Sequence, residues 1–215
     1  MSFLQELSQY MAENSSLLFE LTVQHILMVV YGIALALVIG IPLGILAARY
    51  ERIAPFIISL TNILQLIPSL AMLAILMLYF GLGFETMVIG LFLYSLMPIV
   101  RNTYVGIREV DDSIMEAGKG SGMTSLQLLA KVQFPLSIPF LLAGLRVASV
   151  IAIAVACIGP YIGAEGLGKE IISGISLQSE VKIYAGAIPA TVLAIVADLA
   201  LGLLEKKAKK RMALA

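Results

Sequence analysis

Residues 53–84 contain no charged side chain, and this stretch limits more than any other feature what the chain can fold into. At about 1.5 Å per residue, a straight helix of this length would measure roughly 48 Å. The hydrocarbon core of a bilayer is only about 30 Å thick. We therefore predict that this element breaks or bends at Pro68, because proline removes a backbone donor and clashes with the preceding turn.

Four further apolar segments are long enough to cross a bilayer. The chain is 60% hydrophobic and only 13% charged, and its mean hydropathy is +0.99. These properties predict an all-α, polytopic membrane bundle and leave no room for a soluble catalytic domain. The five predicted core transmembrane helices are at about residues 21–48, 53–84, 86–104, 140–160 and 184–204.

Small residues recur at every fourth position in three of these spans, which places them on one helical face. Such a face lets a neighbouring helix approach closely. The stripes therefore predict tight packing between spans. Their members are Gly32, Ala36, Gly40, Gly44 and Ala48; Gly144, Ala148, Ala152 and Ala156; and Gly186, Ala190, Ala194, Asp198 and Gly202.

Basic residues are concentrated in three segments that lie on the same side of the membrane if the N-terminus is outside. These segments are the loop with Arg49 and Arg52, the region after span three, and the tail at residues 206–215. The distribution predicts a cytoplasmic C-terminus with a basic tail, after a transmembrane domain at residues 21–205. Residues 1–20 place apolar side chains on one helical face and are predicted to form an amphipathic segment at the membrane surface.

The segment between spans three and four, about residues 107–138, is long and polar for so hydrophobic a chain. Asp111 and Thr124 suit the N-termini of two short helices, and Pro135 is predicted to end the second. The glycines that favour a corner between them are Gly118, Gly120 and Gly122. A long ordered cytoplasmic loop in a chain with short loops elsewhere predicts a docking partner.

This segment resembles the coupling motif of permease subunits of binding-protein-dependent ABC importers. That motif is Glu-Ala-Ala, three residues, Gly, nine residues, an aliphatic residue, one residue, an apolar residue and Pro. The spacing matches throughout, with Gly118 for the second Ala, Val132 for Ile and Phe134 for Leu. The resemblance covers about residues 20–205 and implies a five-span fold like that of methionine importers. The identical positions are Glu116, Ala117, Gly122 and Pro135.

The resemblance implies that a cytoplasmic coupling helix contacts a separate ATP-binding subunit, which would hold ATP and magnesium. The coupling residues would be Glu116, Ala117, Gly118 and Gly122. The chain itself has no Gly-x-x-x-x-Gly-Lys-[Ser/Thr] segment, and we expect it to bind no cofactor or metal and to have no catalytic residue.

The other implied partners are an extracytoplasmic substrate-binding protein, facing about residues 159–180, and a second permease subunit, either a homologue or a second copy. No nucleic-acid partner is expected. The implied location is the cell membrane of a prokaryote.

Three longer stretches resemble the osmoprotectant branch of these permeases, which moves glycine betaine, carnitine, choline and similar quaternary amines. They are LQLIPSLAMLAILMLYFGLG, LFLYSLMPIVRNTYVGI and IGAEGLGKEIISGI. An ABC permease for another small solute, such as an amino acid, stays open as an alternative.

Three polar residues within spans are candidates for the translocation path or its gate: Asn62, Gln65 and Asp198. The alternative is hydrogen bonding between helices, for which Arg146 would be the partner of Asp198. An ion-coupled secondary transporter would need more ionisable residues at the midplane than this one acid. An intramembrane enzyme would need a paired nucleophile and base or metal ligands, and one His, one Cys and one acid on separate spans do not supply them.

Overall fold

The structure is a computed structural model that describes residues 2–212, without the side chains of residues 211 and 212. Residues 213–215 of the predicted basic tail lie outside the described part of the chain. The helices are α1 (Phe3–Glu13), α2 (Ser15–Arg49), α3 (Ala54–Leu66), α4 (Ser69–Phe80), α5 (Phe84–Arg108), α6 (Asp112–Gly120), α7 (Ser125–Leu128), a π-helical turn (Leu129–Gln133), α8 (Phe134–Ala156), a 3-10 helix (Gly159–Ile162), α9 (Gly168–Leu177) and α10 (Glu180–Met212).

Four elements in the described residues are long and apolar enough to cross a membrane: α2, α5, the rod Ser125–Ala156 and α10. Helices α3 and α4 meet at an angle of 97° and bring the number to five if they cross as one broken span. The predicted break at Pro68 is confirmed, since α3 ends at Leu66 and α4 begins at Ser69. The count of five spans stays a prediction.

Helix α5 is the most buried of the long helices, and it packs against α2, α8, α3 and α4. The small-residue faces make the predicted close contacts. A Cβ added to Gly44 of α2 would lie 2.5 Å from Cβ of Thr103 on α5, and one added to Gly144 of α8 would lie 2.7 Å from the carbonyl oxygen of Pro98. The prediction of tight packing between spans is confirmed for the stripes on α2 and α8.

The expectation that Pro135 ends the second helix of the cytoplasmic segment is wrong. Helix α7, the π-helical turn and α8 form one continuous rod, Ser125–Ala156. The Phe134 N–H bonds to the carbonyl of Leu129, five residues back. This wider turn shifts the hydrogen-bond ladder just before Pro135, so the helix tolerates a residue without an N–H.

The segment between α8 and α10, for which the sequence predicted no helix, is ordered. It contains the 3-10 helix and α9, and the Gly83 N–H donates to the carbonyl of Ile162 at 2.8 Å. Helix α1 packs on α10 and α2 through Leu7, Leu18 and Ala185. Span one begins at Ser15, earlier than predicted, so α1 alone precedes it.

Candidate functional site

The segment between α5 and α8 is built from two capped helices, as the sequence predicts. The Asp111 carboxylate accepts a hydrogen bond from the Ser113 N–H at 2.8 Å, and hydrogen bonding from Ser113 lowers the pKa of this carboxyl. At the second helix, the Thr124 hydroxyl accepts from the Gln127 N–H at 3.3 Å, while the Gln127 side chain accepts from the Thr124 N–H at 2.9 Å. Both N-termini of this segment therefore have their first amides satisfied.

A tight corner joins the two helices at Gly122, whose φ is +79°. The Gly122 N–H donates to the Lys119 carbonyl at 2.9 Å, and the Met123 N–H donates to the Gly118 carbonyl at 3.1 Å. These bonds satisfy carbonyls that the end of α6 leaves free. A left-handed backbone at this point favours glycine over any residue with a Cβ.

The four coupling residues do not share one environment. Glu116 and Ala117 are exposed on α6, and Gly122 is exposed at the corner. Gly118 is buried, and a Cβ there would lie 2.5 Å from Cδ2 of Leu128. The departure from alanine at position 118 thus makes room for Leu128, which packs α7 against α6. The coupling role of all four residues stays a prediction.

The corner is mechanically connected to two spans. The rod from α7 through α8 carries it directly into the membrane. The Gln133 side chain also donates to the Ile107 carbonyl of α5 at 3.3 Å, and Arg108 of α5 forms a 2.7 Å ion pair with Glu51 in the loop between α2 and α3. A displacement of α6 would therefore move α8 and also push or pull on α5 through these contacts.

The break between α3 and α4 collects polar groups inside the bundle. The Tyr94 hydroxyl of α5 donates to the carbonyl of Ile67 at the break. Asn62 and Gln65 lie half-buried in the last turns of α3, and Oδ1 of Asn62 has no hydrogen-bond partner among the described residues. A role of Asn62 and Gln65 in the translocation path stays a prediction.

Asp198 forms a bidentate ion pair with Arg146, which links α10 to α8. The Nη2-to-Oδ2 distance is 2.7 Å. This was the helix-bonding alternative for Asp198, and the structure confirms the partner; a role in the path or gate stays a prediction. Asn62 and Gln65 are not grouped with it, since α3 packs on α5 and α2 whereas α10 packs chiefly on α8 and α9.

Sequence reasoning missed Glu205, whose carboxylate lies 3.8 Å from Nη1 of Arg146 and 2.6 Å from Nζ of Lys209. The signal was present, because positions 198, 202 and 205 fall on one face of a helix. Within residues 2–210, no three His, Cys, Asp or Glu side chains converge as metal ligands would.

Comparison with known proteins gives a consistent result. Residues 40–210 match the family described as binding-protein-dependent transport system inner membrane component. Over 207 residues the chain is 47% identical to the glycine betaine/carnitine/choline transport system permease protein OpuCD of Bacillus subtilis (strain 168), covering 96% of this chain and 90% of that protein. It is 48% identical to the carnitine transport permease protein OpuCD of Listeria monocytogenes serotype 1/2a (strain 10403S), with 96% and 93% covered. It is 45% identical to the choline transport system permease protein OpuBD of Bacillus subtilis (strain 168), with 96% and 92% covered.

The fold is also similar to solved structures of ABC transporters. An inward-facing structure of the MetNI methionine ABC transporter gives a TM-score of 0.77 at 19% identity, over 90% of this chain and 97% of the other. An amino acid ABC transporter crystallised with histidines gives 0.77 at 19% identity, over 93% and 97%. At this identity the likeness shows the fold alone. By its sequence, the chain belongs to the binding-protein-dependent transport system inner membrane component family, and it is a membrane permease subunit rather than an enzyme.

Proposed function

We propose that this chain is one of two permease subunits of an ATP-driven importer for quaternary ammonium osmoprotectants such as glycine betaine, carnitine and choline. The observation that carries the proposal is the identity of 45–48%, over 96% of the chain, to permeases that are named for these three solutes. The amino-acid alternative has weaker support, because the methionine and amino acid transporters that share the fold are only 18–19% identical.

The second permease in this proposal is a homologue rather than another copy. The glycine betaine/carnitine/choline system of Bacillus subtilis includes a permease protein OpuCB as well as OpuCD. Both are similar to this chain, at 36% and 47% identity respectively. Two related but distinct permeases per system favour a pseudo-symmetric pair around one pathway.

The partner ATPase, with its ATP and magnesium, would dock on α6. The side chains of Glu116 and Ala117 are exposed on this helix, and the Glu116 carboxylate has no hydrogen-bond partner among the described residues, which leaves a small, acidic surface for a cleft to enclose. Closure of two ATPases would displace α6, and the α7–α8 rod would convert that displacement into a tilt of the span. Alternating access follows from this linkage, without any nucleotide chemistry in the permease.

The proposed orientation places the N-terminus outside. The exposed basic residues Arg49, Arg52 and Arg108 then lie on the cytoplasmic side with the end of α10. The 3-10 helix and α9 lie on the opposite side, where residues 159–180 would meet a substrate-binding protein.

The test is uptake of labelled glycine betaine by a host without its own osmolyte importers, which expresses this chain together with its genomic neighbours. Ala117→Arg should abolish uptake and co-purification of the ATPase, because a long cation replaces a methyl on the docking surface. Ala12→Arg is the matched control, since Ala12 is equally exposed but lies on α1.

Two results would contradict the proposal. Co-purification of the ATPase without any betaine, carnitine or choline uptake would remove the substrate assignment. Uptake that persists when the Walker motif of the partner ATPase is mutated would remove the ATP-driven mechanism.

A further inference from the structure

The ion pair between Arg146 and Asp198 lies within the apolar parts of two spans, yet more than a third of each side chain is exposed, 39% and 36%. Asp198 precedes the end of the apolar run at Leu204 by six residues, or about 9 Å along the helix axis. Charged side chains at such depth face a bundle interior or a water-filled cavity, because contact with lipid is costly. The exposed side of this pair therefore belongs to an aqueous or subunit-facing surface.

A cavity of about 510 Å³ opens at this ion pair. The volume lies within the range of small-molecule sites in proteins. Three charged and four apolar side chains from α8 and α10 line it. The charged ones are Arg146, Asp198 and Glu205, and the apolar ones, all on α8, are Ala143, Val147, Val150 and Ile151.

The cavity adjoins the broken helix. Ile151 lines the cavity and also packs against the cluster that contains Tyr94, Met72 and Leu76. Tyr94 in turn holds the carbonyl of Ile67 at the break. In secondary transporters, substrate sites are typically built beside discontinuous helices near the middle of the membrane. The location thus agrees with a point on the translocation path.

The charges are arranged to be reached from the cavity. The Arg146 guanidinium lies over Gly202, where an added Cβ would be 3.4 Å from its Cζ and Nη1. Absence of a side chain at 202 lets the guanidinium lie between Asp198 and Glu205 on the same face of α10. Nη2 of the Arg146 guanidinium thus lies 2.7 Å from the Asp198 carboxylate, and Nη1 lies 3.8 Å from the Glu205 carboxylate, next to the apolar side chains that line the cavity.

We propose that this cavity is a transit site for zwitterionic quaternary ammonium solutes, in which Arg146 binds the solute carboxylate and Asp198 balances the ammonium charge; this rests on the proposed function. A guanidinium binds a carboxylate through two parallel hydrogen bonds. A quaternary ammonium group has no N–H to donate, so it requires a nearby negative charge and apolar contact, which Asp198 and the apolar α8 side chains that line the cavity supply. Binding of the solute breaks the Arg146–Asp198 pair and replaces its hydrogen bonds at Asp198 by a contact without a hydrogen bond, which keeps binding weak enough for release.

The experiment compares uptake of glycine betaine, which has a carboxylate, with uptake of choline, which has a hydroxyl group in its place. Both are measured in the complete transporter with the same binding protein, so its own preference cancels between variants. Arg146→Gln should lower the betaine-to-choline uptake ratio about tenfold, the effect of losing one charged contact. Asp198→Asn should shift the ratio the other way, because choline has only its cation to bind.

A purely structural ion pair would respond differently, since both substitutions break the same pair and would lower uptake of both solutes alike. Equal losses would therefore overturn the inference while leaving the proposed function intact. Arg146→Lys keeps the charge and the ion pair, and it is the variant to use if Arg146→Gln and Asp198→Asn assemble poorly. It should lower the betaine-to-choline uptake ratio by a smaller factor than Arg146→Gln. No change in this ratio would also count against the site.

The matched control is an arginine–carboxylate pair elsewhere in the described residues, Arg108 with Glu51, at the proposed cytoplasmic surface. Arg108→Gln and Glu51→Gln should leave the ratio unchanged, and a shift there equal to that of Arg146→Gln would overturn the inference. Absence of uptake of both solutes by the unmodified transporter would overturn the proposed function and this ligand assignment together.

Discussion

The Tyr94 hydroxyl donates a hydrogen bond to the carbonyl oxygen of Ile67, the residue between the end of α3 and Pro68. Pro68 has no N–H and the helix is interrupted here, so the carbonyls at this end of α3 have no helical partners. Tyr94 of α5 supplies a donor to one of them, the carbonyl of Ile67. The geometry of the break therefore depends on the most buried helix of the bundle as well as on the local sequence.

Tyr94→Phe should destabilise the break, because it leaves a buried carbonyl without a donor at a cost of about 1–3 kcal/mol. The measurement is the temperature at which half of the detergent-solubilised protein stays monodisperse after heating. Tyr79→Phe is the control, since Tyr79 is 80% exposed at the end of α4. Equal midpoints for the two variants would show that the Tyr94 hydrogen bond contributes nothing to stability.

Tyr10 of α1 donates a 2.7 Å hydrogen bond to Glu170 of α9, and burial together with this carboxylate raises the pKa of Tyr10 to about 12. The neutral phenol is thus favoured in the folded state. Its contribution to stability is present below the ordinary tyrosine pKa of about 10 and is lost as the pH rises through about 12.

A phenolate absorbance titration of the unmodified chain minus that of Tyr10→Phe should therefore show a midpoint near 12. Glu170→Gln should lower this midpoint but leave it above 10, because burial is the larger cause and remains. A difference titration with its midpoint at the ordinary value in the unmodified chain would mean that α1 does not rest on α9.

Gly122→Ala should weaken the corner of the coupling segment, because an L-residue with a left-handed backbone costs about 1–2 kcal/mol. Retention of the partner ATPase during purification is the measurement, and it should fall. Gly120→Ala is the matched control: a Cβ has open space at both positions, but only Gly122 has a positive φ. The same loss in both variants would argue against a conformational requirement at the corner.

Gly44→Ala should separate α2 from α5, because the new Cβ would lie 2.5 Å from Cβ of Thr103 and 2.8 Å from the Val100 carbonyl oxygen. Neither atom is the end of a flexible side chain, and overpacking of this kind costs about 1–3 kcal/mol. Gly40→Ala meets only a methyl group of Ile99, at 2.9 Å, and should cost less. The heating assay described for Tyr94 compares them, and a larger loss for Gly40→Ala would contradict this account.

Several features followed from the sequence because they depend on local chemistry. An uncharged stretch longer than a bilayer is thick had to break, and Pro68 was the residue that could not continue a helix. Stripes of small residues predicted where helices approach, and capping residues predicted both short helices of the coupling segment. The motif around Glu116 and the osmoprotectant-like stretches identified the family before any fold was known.

Other features did not follow from the sequence. Pro135 was expected to stop a helix, but the π-helical turn before it shifted the hydrogen-bond ladder. Helix α9 was not predicted, because its segment is rich in glycine, and the close approach of Gly168 to Cys157 exists only in the folded chain.

The sequence by itself determined the class of the protein, the presence of long apolar helices and the position of the break. These follow from hydropathy, helix geometry and backbone chemistry, which act over a few neighbouring residues. Only the tertiary structure decided that Arg146 reaches both Asp198 and Glu205, that Tyr94 supports the carbonyl at Ile67, and that a cavity opens at the Arg146–Asp198 pair. Such contacts arise where helices cross, and crossing positions are set by packing of the whole bundle rather than by any one segment.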